Sequence, residues 1–118
     1  MLVNTNSLEH FGQIIVAPEV IMQVVREATL SVSDVASMAS PTTSIFRRGQ
    51  GREGVTLQTT EGGLKIDIYV TLQENSNIVE AAKAVQIAVS DAVDQIIGVE
   101  TETVDVHVEN VTFKTDAA

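Results

Sequence analysis

The run from Leu64 to Phe113 restricts the fold more than any other part of the chain. It begins with a clean alternation. Leu64, Ile66, Ile68, Val70 and Leu72 point one way, and Lys65, Asp67, Tyr69 and Thr71 point the other. A period of two is that of a β-strand with one buried and one wetter face. After a short polar break the period changes. Ile78, Ala82, Val85, Val89, Ala92 and Ile96 recur at spacings of four and three, which line one side of an α-helix. Asn77 is placed to cap the first turn, with Glu80 three residues on. Gly98 is placed to end the helix in the left-handed conformation. The chain then alternates again through Val104, Val106 and Val108, but Val111 and Phe113 have the opposite parity. One extra residue near Glu109–Asn110 would bring both sets to the same side, so the pattern predicts a β-bulge there.

The rest of the chain supplies partners for this unit. Val55–Thr59 precedes Leu64–Leu72 across Glu61, Gly62 and Gly63, a turn signal that predicts a hairpin. Gly12–Val16 reads as a short strand. Pro18 then opens a helix expected over Pro18–Leu30, with Val20, Ile21, Val24, Val25 and Ala28 as its apolar stripe. Ala17 is a poor cap. Ser33–Ala39 reads as a weak strand in which Val35 and Met38 do not alternate. Residues 40–54 (SPTTSIFRRGQGREG) form an irregular Arg/Gly loop by composition. At 118 residues the chain holds one domain. The expected organisation is a flexible N-terminus over 1–11, a single α+β domain over 12–113, and a flexible tail over 114–118. Its architecture is two helices packed on one face of a largely antiparallel or mixed sheet of about four to five strands.

Charge and composition exclude several function classes. The formal net charge is −9, whereas nucleic-acid binders carry a basic footprint. The same balance disfavours docking on an anionic membrane surface. No apolar run is long enough to span a bilayer, and the first residues lack the basic start and apolar stretch of a secretory signal. A cytoplasmic protein is expected, with any membrane association arising through a partner. There is no cysteine, which removes thiol chemistry and thiolate metal sites. Aromatics make up only 3 %, so the core must be aliphatic.

The residues nominate no catalytic, cofactor or metal site. His107 shares a strand face with Asp105 and Glu109, which could serve as an acid–base group or as metal ligands. The simpler reading is the solvated face of a strand, because the sequence offers no further ligands. Asp91 and Asp94, three apart on the second helix, fall on its polar side. Ser31, Ser33 and Ser37 lack a nucleophile elbow. Gly51-Arg52-Glu53-Gly54 fits the GxxG loop of KH domains, which clamps a nucleic-acid backbone. That loop joins two helices, whereas a strand follows here.

Two features fit interaction instead. Arg47, Arg48 and Arg52 gather in one segment. The rest of the chain keeps four basic residues against sixteen acidic ones, a formal −12. The segment is either a solvated connector or an electrostatic contact for an acidic partner, another copy of the chain included. The second helix also has more apolar positions than one stripe needs: Val79, Ala84, Ile87, Ala88, Val93 and Ile97. These either broaden the buried face or meet another subunit. Val79 and Ile87 are the positions expected to meet a partner.

Several of these stretches are similar to those of a known family. Gly12-Gln13-Ile14-Ile15-Val16 followed by Pro18-Glu19-Val20-Ile21 resembles the G-x-I-x-I strand and x-E-V-I helix start of the alkaline shock protein 23 family, in its short YloU-like branch. Ile66-Asp67-Ile68-Tyr69-Val70, Ile78, Val85-Gln86, Ile97-Gly98-Val99 and the V-x-V-x-V-x-x-V run from Val104 to Val111 follow in the family's order. Asp34 stands where relatives tend to have Gly, and Glu74-Asn75-Ser76-Asn77 replaces a Tyr-Gly turn. The resemblance spans nearly the whole chain except 40–54. It implies a bacterial cytoplasmic protein of cell-envelope or alkaline stress homeostasis, without catalysis, cofactor or small-molecule substrate. It further implies self-association or docking on a protein, including a membrane-embedded one. The alternative is a small nucleic-acid-associated domain using the Arg47–Arg52 loop. A third reading, an enzyme or ligand-binding module near His107 and Asp105, lacks a supporting constellation.

Overall fold

The computed structural model describes residues 2–3, 12–40, 50–52 and 54–113, the first and third of these as backbone only. In chain order the elements are β1 (Leu2–Val3), β2 (Ile14–Ile15), α1 (Pro18–Leu30), β3 (Val35–Met38), β4 (Gln50–Arg52), β5 (Val55–Thr60), β6 (Gly63–Gln73), α2 (Ile78–Ala92) and β7 (Thr101–Thr112). The architecture is α+β, with a five-stranded mixed sheet and both helices on one face. Two short strands fall within segments read from the sequence as flexible or irregular. Leu2–Val3, within the stretch expected to be flexible, pair antiparallel with Ile14–Ile15 in a separate two-stranded ribbon. The segment over 40–54 is not irregular throughout, since Gln50–Arg52 pair with β5.

β6 is the central strand, and it runs antiparallel to β5 through a two-residue turn, Glu61–Gly62. β6 passes through α2 into β7, which lies parallel to it. This is a strand–helix–strand crossover, the usual way to bring parallel neighbours together. β3 pairs antiparallel with Val70–Leu72, beyond the reach of β5. Since β7 takes one edge of β6 along its length, β5 and β3 lie end to end on the other. Tyr69 sits at their junction. Its N–H donates to the Gly54 carbonyl and its C=O accepts from Ala39 N–H, both at 2.8 Å. Gly54 has φ +82°, and a Cβ there would lie 2.7 Å from the Ala39 carbonyl oxygen and 2.9 Å from that of Tyr69. Only glycine fits at this seam.

Both parity anomalies in the sequence are bulges. Val70 opposes Val108, but Thr71 opposes Asn110, so Glu109 is the extra residue and Val111 returns to the inner face opposite Leu72. Phe113 does not follow it. It lies past the strand and is 72 % exposed. On β3 the register skips Ala36, which reconciles Val35 with Met38.

The core joins Ile21, Met22 and Val25 of α1, Val55 and Leu57 of β5, the inner row Leu64–Leu72 of β6, and Ala81, Val85, Val89 and Val93. Val85 and Val89 are fully buried, as the helical period predicts. The ends of the predicted seam are not. Ile78 and Ile96 are largely exposed, while Val93 is buried and Ile97 packs against the core. The cause is a π-helical turn, Val93–Ile97, in which Gly98 N–H donates to the Val93 carbonyl five residues back. A wider turn advances the phase by one residue, so Ile97 takes the place expected for Ile96. Asn77 caps α2 by accepting from Glu80 N–H at 3.0 Å. Gly98 ends the turn at φ +86°. α1 has no side-chain cap, and within it the buried Thr29 hydroxyl donates to the Val25 carbonyl.

Candidate interaction surface

The buried row of α2 and its π-turn, Ala81–Val85–Val89–Val93, fixes what the opposite side presents. Val79 and Ile87 lie there, 60 % and 63 % exposed, with the exposed Lys83 between them. Both are clear of the core, so the broader-buried-face reading fails for these two positions. It holds for Val93, which is core. On the flank beside β7, Gln86 Nε2 donates to the Val104 carbonyl at 2.9 Å, and Ser90 Oγ meets Thr101 Oγ1 at 3.2 Å. α2 therefore holds β7 by polar contacts as well as by packing.

Arg47 and Arg48 lie outside the described residues. Arg52 is placed by its backbone, at the end of β4 opposite Val55, and its side chain also lies outside them. The Gly51–Gly54 pattern spans the β4–β5 turn. It does not join two helices, so the KH reading loses its structural context.

The other face of the sheet carries the polar residues of the sequence analysis. His107 does not turn to Asp105 or Glu109 on its own strand. Its Nε2 lies 3.0 Å from Asp67 Oδ1 on β6. Neighbouring strands stand about 4.8 Å apart, closer than alternate residues along one strand. The His107 ring also stacks on Tyr69, centroids 4.3 Å apart and planes within 12°. This face is drier than alternation suggests, because Tyr69 and Thr71 are buried. The Asp67–His107 pair depends on the parallel register, in which Tyr69 opposes His107 and Asp67 opposes Asp105. Among the described residues no group of three or more His, Asp or Glu could hold a metal ion. Asp91 and Asp94 are exposed and line an open hollow of ≈ 250 Å³ with Ser90, Glu100 and Thr101. Its rim consists of three carboxylates and two hydroxyls, with no histidine, lysine or arginine among the described residues that line it.

Residues 6–113 match the alkaline shock protein 23 family, described as having a cell envelope-related function. The chain belongs to this family. Two relatives come from Bacillus subtilis strain 168. The uncharacterized protein YloU is 30 % identical over 107 residues, covering 86 % of this chain and 89 % of YloU. YqhY is 25 % identical over 112 residues, covering 92 % and 83 %. The uncharacterized protein Spy1535 of Streptococcus pyogenes serotype M6 is 31 % identical over 105 residues, covering 87 % and 81 %. Among solved structures, a MamM-CTD structure aligns with TM-score 0.51 at 18 % identity, covering 80 % of this chain and 98 % of that one. At that identity the likeness between this alkaline shock family member and MamM-CTD is one of fold alone. Among the described residues no helix is long and apolar enough to cross a membrane.

Proposed function

We propose that this alkaline shock family member is a non-catalytic adaptor of the bacterial cytoplasm that serves the cell envelope by binding protein, either another copy of itself or a membrane-embedded partner. The observation that carries this reading is the exposed pair Val79 and Ile87 on the outer side of a well-anchored helix. Leaving two large aliphatic groups in water forgoes their burial, on the order of 1.5–3 kcal/mol each, which a partner surface would recover. The cell envelope-related function of the family supports the setting. A role in envelope or alkaline stress is the specific form we favour.

The segment Arg47–Arg52 supplies the electrostatic half of the contact. It gathers three arginines in an otherwise acidic molecule. Exposed ion pairs are individually weak, so the cluster acts mainly by speeding association, and salt screens it. Sedimentation velocity at low and high ionic strength tests both halves. Replacing Arg47, Arg48 and Arg52 together by Ser is expected to weaken assembly at low salt and leave thermal stability nearly unchanged. Replacing Val79 and Ile87 together by Ser is expected to weaken it at every salt concentration. A chain that sediments identically in all three forms, and whose capture of solubilised membrane protein is identical in all three, refutes the surface. Binding of RNA that falls steeply with salt would instead favour the nucleic-acid alternative.

A further inference from the structure

Self-association, one arm of the reading above, would need a surface that a second copy fits, and the outer edge of β7 has such a form. Tyr69 spends both its peptide groups on the β3–β5 edge of β6. Ile66, Ile68 and Val70, of the other parity, therefore turn theirs toward β7. In a parallel ladder such a residue bonds to the two neighbours of its opposite number, not to the opposite itself. Leu64 N–H follows this rule, donating to the Glu100 carbonyl although Leu64 opposes Thr101. The opposites of Ile66, Ile68 and Val70 are Val104, Val106 and Val108. Their N–H and C=O groups hence point away from β6, along the outer edge.

That edge is closed at two places. Gln86 takes the Val104 carbonyl, and Asn110 Oδ1 accepts from Val111 N–H at 2.8 Å. Between them the peptide groups of Val106 and Val108 have no partner among the described residues. An unpaired strand edge is a template for another strand. The side chains specify which. If two β7 strands pair antiparallel with Val106 on the two-fold axis, Asp105 of each copy stands opposite His107 of the other, and Val104 opposite Val108. Moving the axis to Asp105 sets two Asp105 carboxylates together. Moving it to His107 sets Asp105 against Glu109. Like charges directly opposite oppose pairing, and Asp105 opposite the His107 imidazole carries no such repulsion. Asp105 is exposed, and His107 already holds Asp67 on its other side.

We infer that Val104–Val108 is a homodimer edge, where two copies join their sheets antiparallel about Val106 with Asp105 and His107 paired across the seam. Each five-stranded sheet is thereby extended by the other, and the inner row Val104, Val106 and Val108, each half-buried, continues into the second copy. The axis also lays the two α2 helices antiparallel on one face. Val79, seven residues before Gln86, shares the helix flank turned to the partner.

The absence of cysteine makes the test clean. Asp105 and His107 bond inward to β6, so across the seam they form a non-hydrogen-bonded pair with Cα atoms about 4.5 Å apart. That spacing accepts a disulfide. Asp105→Cys protein mixed with His107→Cys protein under mild oxidation is expected to form a covalent dimer several-fold faster than either variant alone. Val106→Pro removes an outward N–H that no bond among the described residues uses, and proline is tolerated on edge strands. It is expected to keep the far-UV spectrum while raising the dimer dissociation constant by at least about tenfold. If Val106→Pro does not fold, the cysteine mixture decides alone. Wild-type protein that associates while the mixture cross-links no faster than the single variants overturns the edge and leaves self-association standing. Wild-type protein that stays monomeric up to millimolar concentration overturns the edge, and leaves only the partner-docking arm of the functional reading.

Discussion

On one side β6 is met by two strands placed end to end, both antiparallel to it; on the other a single parallel strand accompanies it over its length. The two edges solve different problems. The β3–β5 edge joins pieces from well-separated parts of the chain, and it has a seam at Tyr69 where no side chain fits. The β7 edge is not joined from two strands but depends on a helix crossover that must end at the right residue. Bulges at Glu102 and Glu109 and a π-turn at Val93–Ile97 set its phase. A tight glycine therefore sits on each edge: Gly54 on the first, and on the second Gly63, φ +126°, where a Cβ would lie 2.5 Å from the Glu100 carbonyl oxygen.

Substitutions at each edge sharpen this contrast. The largest effect is expected for Gly54→Val. It combines a positive φ with contacts of 2.7 and 2.9 Å from the new Cβ to two carbonyl oxygens that cannot move without opening the seam. A loss of about 3 kcal/mol or more in chemical denaturation is expected. A loss below about 1 kcal/mol would show that β3 and β5 do not meet as described. Next comes Val89→Ala, in the crossover helix. Val89 is fully buried, so lost burial and the residual cavity should cost on the order of 1–3 kcal/mol. An unchanged midpoint would separate the helix from the core.

The smallest effect belongs to Gly98→Val. Its φ is also positive, but a Cβ there meets nothing within 4 Å. Only backbone strain remains, about 1–2 kcal/mol. Gly98→Asn, which tolerates the left-handed region, should recover most of it. If Gly98→Val cost as much as Gly54→Val, the distinction between a seam and a turn would collapse. Thermal melts of the three glycine variants side by side make that comparison directly.

Much of this arrangement is legible in the residues. The alternation of Leu64–Leu72 marks the central strand, Asn77 and Gly98 bracket the crossover, and the parity break after Val108 marks the bulge. Lying outside the helical seam does not by itself decide exposure, because Val79 and Ile87 are exposed while Val93 and Ile97, also outside it, pack inward. The failures share one cause. Ile96 and Phe113 continue an apolar pattern, yet both are exposed, because periodicity cannot see a π-turn or the end of a strand. For His107 the sequence offers only neighbours on its own strand, whereas its partner Asp67 lies forty residues away.

Local order was therefore set by the chain itself: a period of two or of 3.6, a cap and a stop are properties of neighbouring residues. The seam at Gly54, the Asp67–His107 pair and the outward row Val104–Val108 came only from tertiary structure. Each depends on which strand lies beside which and in what register. A strand's own pattern shows the two faces it presents, but not the neighbour at either edge, because its N–H and C=O groups are the same at every residue but proline.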